Sequence, residues 1–179
     1  PMPLVTGFDT HDLVAQICRQ QRAYSWQLLN RRIALKELAV SGGEFNPAFR
    51  EKKRLAVARD MLFGNRWLVD ELTRNCPDFV VADTLPELVQ KMNALTGDGS
   101  VDLASITEAA TCYDARIDAG PRFHNDEQLR RIEFARRWIG DRLRTCRFQK
   151  ILDPKAGPLL AIREFIISRK SMGGLQTDL

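Results

Sequence analysis

Histidine is scarce in this sequence, and its few cysteines are scattered. Two histidines, His11 and His124, and four cysteines occur among 179 residues. This spacing excludes the usual zinc-ligand patterns, a C-x-x-C redox pair and a local Cys–His nucleophile. We therefore expect no metal site, and reduced, mostly buried thiols of the kind found in cytoplasmic proteins. The cysteines are Cys18, Cys76, Cys112 and Cys146.

The sequence also lacks the short glycine-rich motifs that bind nucleotides or activate a serine. It contains no Gly-x-Gly-x-x-Gly after a strand, no P-loop and no Gly-x-Ser-x-Gly. The first two motifs hold phosphate groups, and the third places a nucleophilic serine on a sharp turn. We therefore do not expect this chain to hold a dinucleotide unaided. If it belongs to an enzyme, the cofactor is bound mainly elsewhere, and no catalytic acid or base is identified.

Long apolar runs are missing as well. No stretch approaches the roughly 20 apolar residues that span a bilayer, and no basic-then-apolar leader opens the sequence. The hydrophobic fraction of 44% and the charged fraction of 28% are those of a globular protein. The composition therefore predicts one domain, or one domain with a small appendage, in the cytoplasm and without a membrane partner.

Basic residues are concentrated in one stretch of an otherwise moderately charged chain. The net charge is +4, but residues 130–150 hold eight basic residues against Glu133 and Asp141. Such a run binds phosphates or nucleic acid, forms a solvated helix face, or docks on an acidic neighbouring domain. Nucleic acid is the least favoured of these, because interleaved aromatic residues and recognised motifs are missing. The basic residues are Arg130, Arg131, Arg136, Arg137, Arg142, Arg144, Arg147 and Lys150.

Hydrophobic periodicity predicts a helix-rich α+β fold. Apolar residues at helical spacing, together with capping residues, mark most of the chain as helical. Three short segments are rich in β-branched residues or alternate in polarity, which predicts strands. The predicted helices cover 10–20, 31–40, a segment opened by Asn46 and Pro47, 67–72, a segment capped by Thr84, one capped by Asp102, and an arginine-rich one opened by Asn125 with Gln128. The predicted strands are 24–29, 79–82 and 159–167.

Several segments, taken in order, resemble one flavoprotein superfamily. The stretch Phe-Val-Val-Ala-Asp-Thr-Leu-Pro-Glu-Leu-Val at 79–89 resembles a strand and turn in the fumarate reductase and 3-ketosteroid dehydrogenase superfamily. There, this turn opens a helix of the cap domain, which covers the substrate. Further similar segments are the helix and glycine turn at 109–120, the returning strand at 158–162, and Ser-Met-Gly-Gly-Leu-Gln-Thr-Asp at 171–178. Residues 34–42 and 152–154 resemble bacterial FAD-binding dehydrogenases.

The resemblance implies that this chain is the cap of a larger FAD-dependent dehydrogenase that acts on a C–C bond next to a carbonyl or carboxylate. Residues 1–157 would form the cap domain, and residues 158–179 would lead back into an absent FAD-binding domain. The implied partners are a small-molecule substrate and the FAD-binding domain of the same polypeptide. The chain on its own would then be inactive, because most of the FAD contacts lie outside it.

The same resemblance assigns ligand contacts to the end of the chain. Gly173 and Gly174 would lie beside the flavin, with backbone amides that polarise a substrate carbonyl. Lys170 and Ser171 would bind the substrate.

This chain departs from the family in two places, one at a proposed ligand residue and one in the returning strand. Lys170 stands where fumarate reductases place a histidine, and Leu159 and Leu160 stand where ketosteroid dehydrogenases carry a tyrosine. The sequence therefore assigns neither fumarate nor a steroid as the substrate. The sequence offers only two tyrosines, Tyr24 and Tyr113, and Tyr113 falls on a helical stripe typical of a core.

A second reading of the sequence needs no flavin. A freestanding helical module could use the arginine-rich helix to bind an acidic protein partner or nucleic acid. Two observations distinguish these interpretations. One is which groups neutralise the arginines, and the other is which known proteins the whole chain resembles.

Overall fold

The computed structural model describes residues 10–22, 24–39, 46–120, 126–144 and 147–165, and it has the predicted α+β fold. Helices dominate, and the described strands form a three-stranded sheet. The elements are α1 (Thr10–Arg19), β1 (Tyr24–Asn30), α2 (Arg31–Glu37), α3 (Pro47–Arg50), α4 (Arg54–Phe63), α5 (Arg66–Asn75), β2 (Phe79–Ala82), α6 (Leu85–Thr96), α7 (Leu103–Ala119), α8 (Glu127–Ala135), α9 (Ile139–Arg144) and β3 (Leu159–Phe165).

Polar caps explain where most helices begin. Asn46, Thr84 and Asp102 each accept a backbone N–H of the first helical turn, as their positions in the sequence predict. The return bonds of the predicted capping box go to Glu87, which accepts the amide of Asp83 at 3.3 Å and a backbone hydrogen bond from Thr84. The predicted cap of the arginine-rich helix was wrong. Asp126, not Asn125, caps α8 by accepting the amide of Leu129 at 2.9 Å.

Two predicted helices are each broken into two. The segment opened by Asn46 and Pro47 forms α3 and α4, separated at Lys52, which has a φ of 54°. The arginine-rich segment forms α8 and α9, with a turn at 136–138 between them. Neither break contains a proline or glycine, so the sequence carried no breaking signal there. The final strand is described to Phe165, and the rest of its predicted span lies outside the described residues.

β3 is the middle strand of the sheet. The strand order is β1-β3-β2, and both pairings are antiparallel. Tyr24 pairs with Phe165 at one end of β1, and Asn30 pairs with Leu159 at the other. A strand from late in the chain therefore joins two strands that are far apart in sequence. The division of the chain into two domains between residues 157 and 158 stays a prediction. In the structure, β3 follows that position in the chain and lies between β1 and β2 in the same sheet.

Helices cover both faces of this sheet, so it has a core on each side. On one face, strand residues such as Ala161 pack with Leu88 and Met92 of α6. On the other face, Leu160 and Ile162 pack with α2 and with Val69 of α5. Successive side chains of a strand point to opposite faces, and this alternation explains why an almost continuous apolar run serves both cores.

The segment that leads into β3 is held by two buried polar side chains. Asn30 Nδ2 donates to the carbonyls of Lys150 at 2.8 Å and Ile151 at 3.1 Å. The carboxylate of Asp114 accepts the amides of Ile151 at 2.7 Å and Leu152 at 2.9 Å. Both side chains are buried, so each is satisfied by backbone groups that would otherwise lack partners.

The prediction of mostly buried thiols was wrong. Cys18 and Cys112 are exposed, and Cys76 is partly buried. Cys112 lies off the apolar stripe of α7, which explains its exposure. Cys146 lies outside the described residues. Within the described residues, no helix is long and apolar enough to cross a membrane.

Replacing Leu160 by alanine tests whether β3 is the structural centre. Leu160 is 1% exposed, and its removal leaves a cavity in the core beside α2 and α5. We expect Leu160→Ala to lower the free energy of unfolding by about 2–5 kcal/mol in urea denaturation. Both variants are made in the 179-residue chain, where Leu55→Ala is the matched control because Leu55 is 88% exposed. We expect the control to change stability by no more than about 0.5 kcal/mol, and equal effects of the two changes would contradict the central position of β3.

Candidate functional site

The four predicted ligand residues, Lys170, Ser171, Gly173 and Gly174, lie outside the described residues. The nearest described element in the chain is β3, and its register shows which residues lie beside its last described position. Phe165, the last residue of β3, pairs with Tyr24, the first residue of β1. We call this end of the sheet the β3 end and define it by Tyr24, Asp78, Arg163, Glu164 and Phe165.

Tyr24 is fixed at the β3 end by its hydroxyl and by its ring. The hydroxyl donates to Asp98 Oδ2 at 2.9 Å and lies 3.3 Å from Ser100 Oγ. The ring packs edge-on against Trp26, with the centroids 6.3 Å apart, and lies 6.2 Å from the ring of Phe165. These contacts join the first residue of β1 to the loop after α6, so two distant parts of the chain meet here.

The Asp98 carboxylate is strongly stabilised in its charged form. Hydrogen bonds from Ser100, then from Thr96 and Tyr24, hold its pKa well below the ordinary value of 3.8. Arg22 adds an ion pair, with Nε 2.7 Å from Oδ2. At neutral pH this group therefore accepts hydrogen bonds and positions Tyr24, and it does not serve as a proton donor.

Arg163 places a positively charged side chain near the end of β3, and its partners fix its position. Its Nε donates to Asp78 Oδ1 at 2.7 Å, and its backbone N–H donates to the Asp78 carbonyl at 2.9 Å. The guanidinium carbon lies 6.0 Å from the centre of the Tyr24 ring and 5.1 Å from that of Phe165. Cation–π contacts of this kind favour one orientation of the arginine. Arg163 therefore ties the end of β3 to the residue that precedes β2.

Glu164 is a carboxyl group at the β3 end whose pKa is shifted in the opposite direction from that of Asp98. It pairs across the sheet with Ser25 and is partly buried. Burial raises its pKa above the ordinary value of 4.5, because desolvation penalises the charged form. A carboxyl group of this kind holds its proton to higher pH than a solvated one.

The N-termini of α6, α7 and α8 do not fit the phosphate groups of a dinucleotide. A phosphate site at a helix start uses free backbone amides and a positive environment. Here Asp102 and Asp126 occupy the caps of α7 and α8, and Glu87 lies in the first turn of α6. Carboxylates at these positions repel phosphate. Among the described residues, no three histidine, cysteine or acidic side chains lie close enough to hold a metal ion.

Leu159 and Leu160 cannot contribute to a ligand site in the described fold. Both are buried, one in each core of the sheet. They stand where ketosteroid dehydrogenases carry a tyrosine, and Tyr24 lies at the opposite end of the same strand pair. Sequence reasoning gave Tyr24 no role beyond its strand. The charged Arg163 and Glu164 at the end of an apolar strand were the signal that β3 reaches a polar environment there.

Comparison with known proteins gives the relationship of the whole chain. It is 38% identical to a KsdD-like steroid dehydrogenase of Mycolicibacterium smegmatis over 184 aligned residues, which cover 100% of this chain and 32% of the relative. A KsdD-like steroid dehydrogenase of Mycobacterium tuberculosis is 36% identical, with the same two coverages. The chain is homologous to a segment of these dehydrogenases. Its predicted resemblance to the ketosteroid dehydrogenase group is thereby confirmed.

The chain spans about a third of the length of the curated relatives that it matches. No protein-family model matches the chain. No solved structure matches it at a significant level. Its similarity to the KsdD-like dehydrogenases thus comes from sequence alone, while the geometry of the β3 end comes from the fold.

The raised pKa of Glu164 predicts a pH-dependent effect of removing its charge. A raised pKa means that the carboxyl group favours the folded state at low pH and that this contribution is lost as the pH rises through the folded-state pKa. We therefore expect Glu164→Gln to raise Tm by about a few degrees near pH 7 and by much less near pH 4. Thermal unfolding followed by circular dichroism measures both. A variant that gains as much at the lower pH would show that desolvation of the charge is not the cause.

Proposed function

We propose that this chain is the substrate-covering part of an FAD-dependent dehydrogenase that acts on a C–C bond next to a ketone. The observation that carries the proposal is the similarity of the entire chain to one segment of dehydrogenases whose names specify steroids. A steroid ketone is accordingly the proposed substrate class. A cytoplasmic location stays a prediction.

Within this proposal, the sheet acts as a rigid base for the ligand-binding segment. β3 is hydrogen-bonded on both sides, and Arg163 with Asp78 fixes its end. Residues 166–174 follow directly in the chain, so the proposed ligand residues are at most nine positions from an anchored strand. Short chain separation limits how far Lys170 can lie from Phe165. Preorganisation of this kind lowers the cost of placing groups around a substrate.

Each proposed site residue has a distinct task. The amides of Gly173 and Gly174 donate to the ketone oxygen and stabilise negative charge that develops on it. Lys170 and Ser171 add a charged and a neutral donor that hold the substrate. Bound FAD supplies the acceptor for the hydride. The cap excludes water from the reacting atoms.

The described contacts do not favour the alternative of a freestanding basic module. Several arginines of the basic stretch are neutralised within the chain. Arg131 pairs with Glu127 at 2.8 Å, and Arg136 pairs with Glu37 at 3.2 Å. Lys150 lies 3.0 Å from Asp118. Side chains that are engaged in this way offer less positive charge to phosphates or to an acidic partner.

The proposal is tested in the longer polypeptide that contains this chain. We expect that protein to purify with bound FAD and to be reduced anaerobically when a 3-ketosteroid is added, as read from the flavin absorbance. We expect Lys170→Met to lower kcat/KM by roughly 10- to 100-fold, because a charge-assisted hydrogen bond to substrate is lost. Lys170→Arg should restore part of the loss. Lys155→Met is the matched control, because Lys155 is exposed on the turn before β3.

Two results would count against this function. A protein that stays colourless after reconstitution with FAD would remove the flavoprotein assignment. A flavin-containing protein that no ketone reduces, and that shows equal kinetics in the Lys170 and Lys155 variants, would remove the assigned substrate and site.

A further inference from the structure

Helix α4 presents an apolar face to solvent. Leu55, Ala58 and Leu62 follow one another at the i, i+3, i+7 spacing of a single helix face, and all three are exposed. Leu55 is 88% exposed, Leu62 is 56% exposed, and the neighbouring Phe63 is 78% exposed. We call Leu55, Ala58, Leu62 and Phe63 the α4 face.

The inner side of the same helix carries a charge. Asp60 is buried, and its Oδ1 accepts from Arg59 at 2.8 and 3.0 Å. Val57 and Met61 are also turned partly inward. A surface helix of a globular protein normally has its polar residues outside and its apolar stripe inside, whereas a helix that is apolar all round is buried on all sides. α4 does not follow the surface pattern, because exposed leucines and a buried carboxyl group occur on the same helix.

Cavities flank the α4 face on both sides. A cavity of about 390 Å³ between α3 and α4 is lined by apolar residues such as Phe49, Val57 and Met61, with Lys52 and Arg54 at its rim. A second cavity of about 450 Å³ is lined by Phe63 and Trp67 together with the charged residues Arg59, Asp60 and Arg66. Aromatic and arginine side chains around apolar depressions are typical of the centres of protein interfaces.

The corner that carries Phe63 and Trp67 is rigid. Gly64 has a φ of 89°, and a Cβ there would lie 2.9 Å from the carbonyl oxygen of Leu35. Asn65 donates its backbone N–H to that same carbonyl at 2.9 Å, and its side chain accepts the amide of Leu68 at 2.9 Å. The two aromatic rings are therefore attached to fixed backbone, and little ordering is needed when a partner binds.

This surface is separate from the β3 end. Arg31 follows Asn30, at the end of β1 opposite Tyr24. Its Nη2 bonds Asp70 of α5 at 2.6 Å, and Trp67 lies one helical turn before Asp70. The α4 face thus belongs to the opposite end of the sheet, and it is not part of the proposed substrate site.

We propose that the α4 face is a docking surface for another part of the same, longer polypeptide. The relatives contain this chain as 32% of their length, so most of their sequence is available to cover it. The basic residues that line the two cavities, Lys52, Arg54 and Arg66, predict acidic residues around an apolar centre on the covering segment. The inference rests on the proposed function only in placing the chain within a longer polypeptide, and it does not depend on flavin or substrate.

Cysteine labelling tests this docking. Leu55→Cys and Leu62→Cys are made separately in the longer polypeptide, and Gln90→Cys on the exposed side of α6 gives the rate of an exposed helical cysteine. A maleimide labels each variant in native buffer and in urea, and mass spectrometry of the relevant peptide gives the rate. In native buffer, we expect both α4 cysteines to be labelled at least about tenfold more slowly than the cysteine of the Gln90→Cys variant. We expect this difference to stay the same when the protein is diluted from micromolar to nanomolar concentration.

The outcomes separate the possible coverings. Protection that disappears on dilution would assign the face to a second copy of the chain. Protection already present in the 179-residue chain alone, at every concentration, would assign it to a segment of this chain. Rapid labelling in both forms would show that nothing covers it. Each of these results overturns the proposal. Because labelling needs no flavin, a colourless protein with protected α4 cysteines would overturn the proposed function and leave this inference standing.

Discussion

Two buried polar side chains, Asn30 and Asp114, hold the segment before β3, and the rest of the fold depends on them. Each satisfies backbone groups of residues 150–152 that have no strand or helix partner, and burying such groups unpaired costs about 1–3 kcal/mol each. Asn30 also caps α2, so one side chain connects the end of β1, the start of a helix and the approach to the middle strand. The order of the sheet follows from this arrangement, because β3 enters between β1 and β2 from a fixed position.

The opposite end of β3, near Phe165, is also fixed by polar contacts. There Arg163 is bonded to Asp78, and Tyr24 is bonded to Asp98, so the edge from which the chain continues toward Lys170 is built from paired charges and packed rings. Flexible loops usually carry binding residues, and a rigid scaffold usually positions them. The described part of this chain supplies such a scaffold for the ligand contacts that we propose.

The α4 face and the buried Asp60 are exceptions to the polarity pattern of an independent domain. In a free domain, exposed leucine and phenylalanine side chains and a buried carboxylate lower stability without benefit. In a longer polypeptide, the proposed docking covers the apolar side chains of the α4 face, whereas Asp60 on the inner side of α4 keeps its ion pair with Arg59. The relatives, of which the chain spans about a third, provide the chemical context in which we place that interface.

The amino-acid sequence by itself determined the helix-rich α+β class, the strands at 24–29 and 79–82, most of the caps and the relationship to ketosteroid dehydrogenases. These follow from local patterns, since capping and periodicity involve residues only a few positions apart. The breaks at Lys52 and at 136–138 were missed, because they contain no glycine or proline. The cap at Asp126 is a local contact with Leu129, and the sequence analysis assigned it to the neighbouring Asn125. The β3 end joins residues up to 141 positions apart, such as Tyr24 and Phe165, and only the tertiary structure could bring them together. Long-range strand pairing leaves no local trace in a sequence, because its free energy comes from contacts that exist only after the chain has folded.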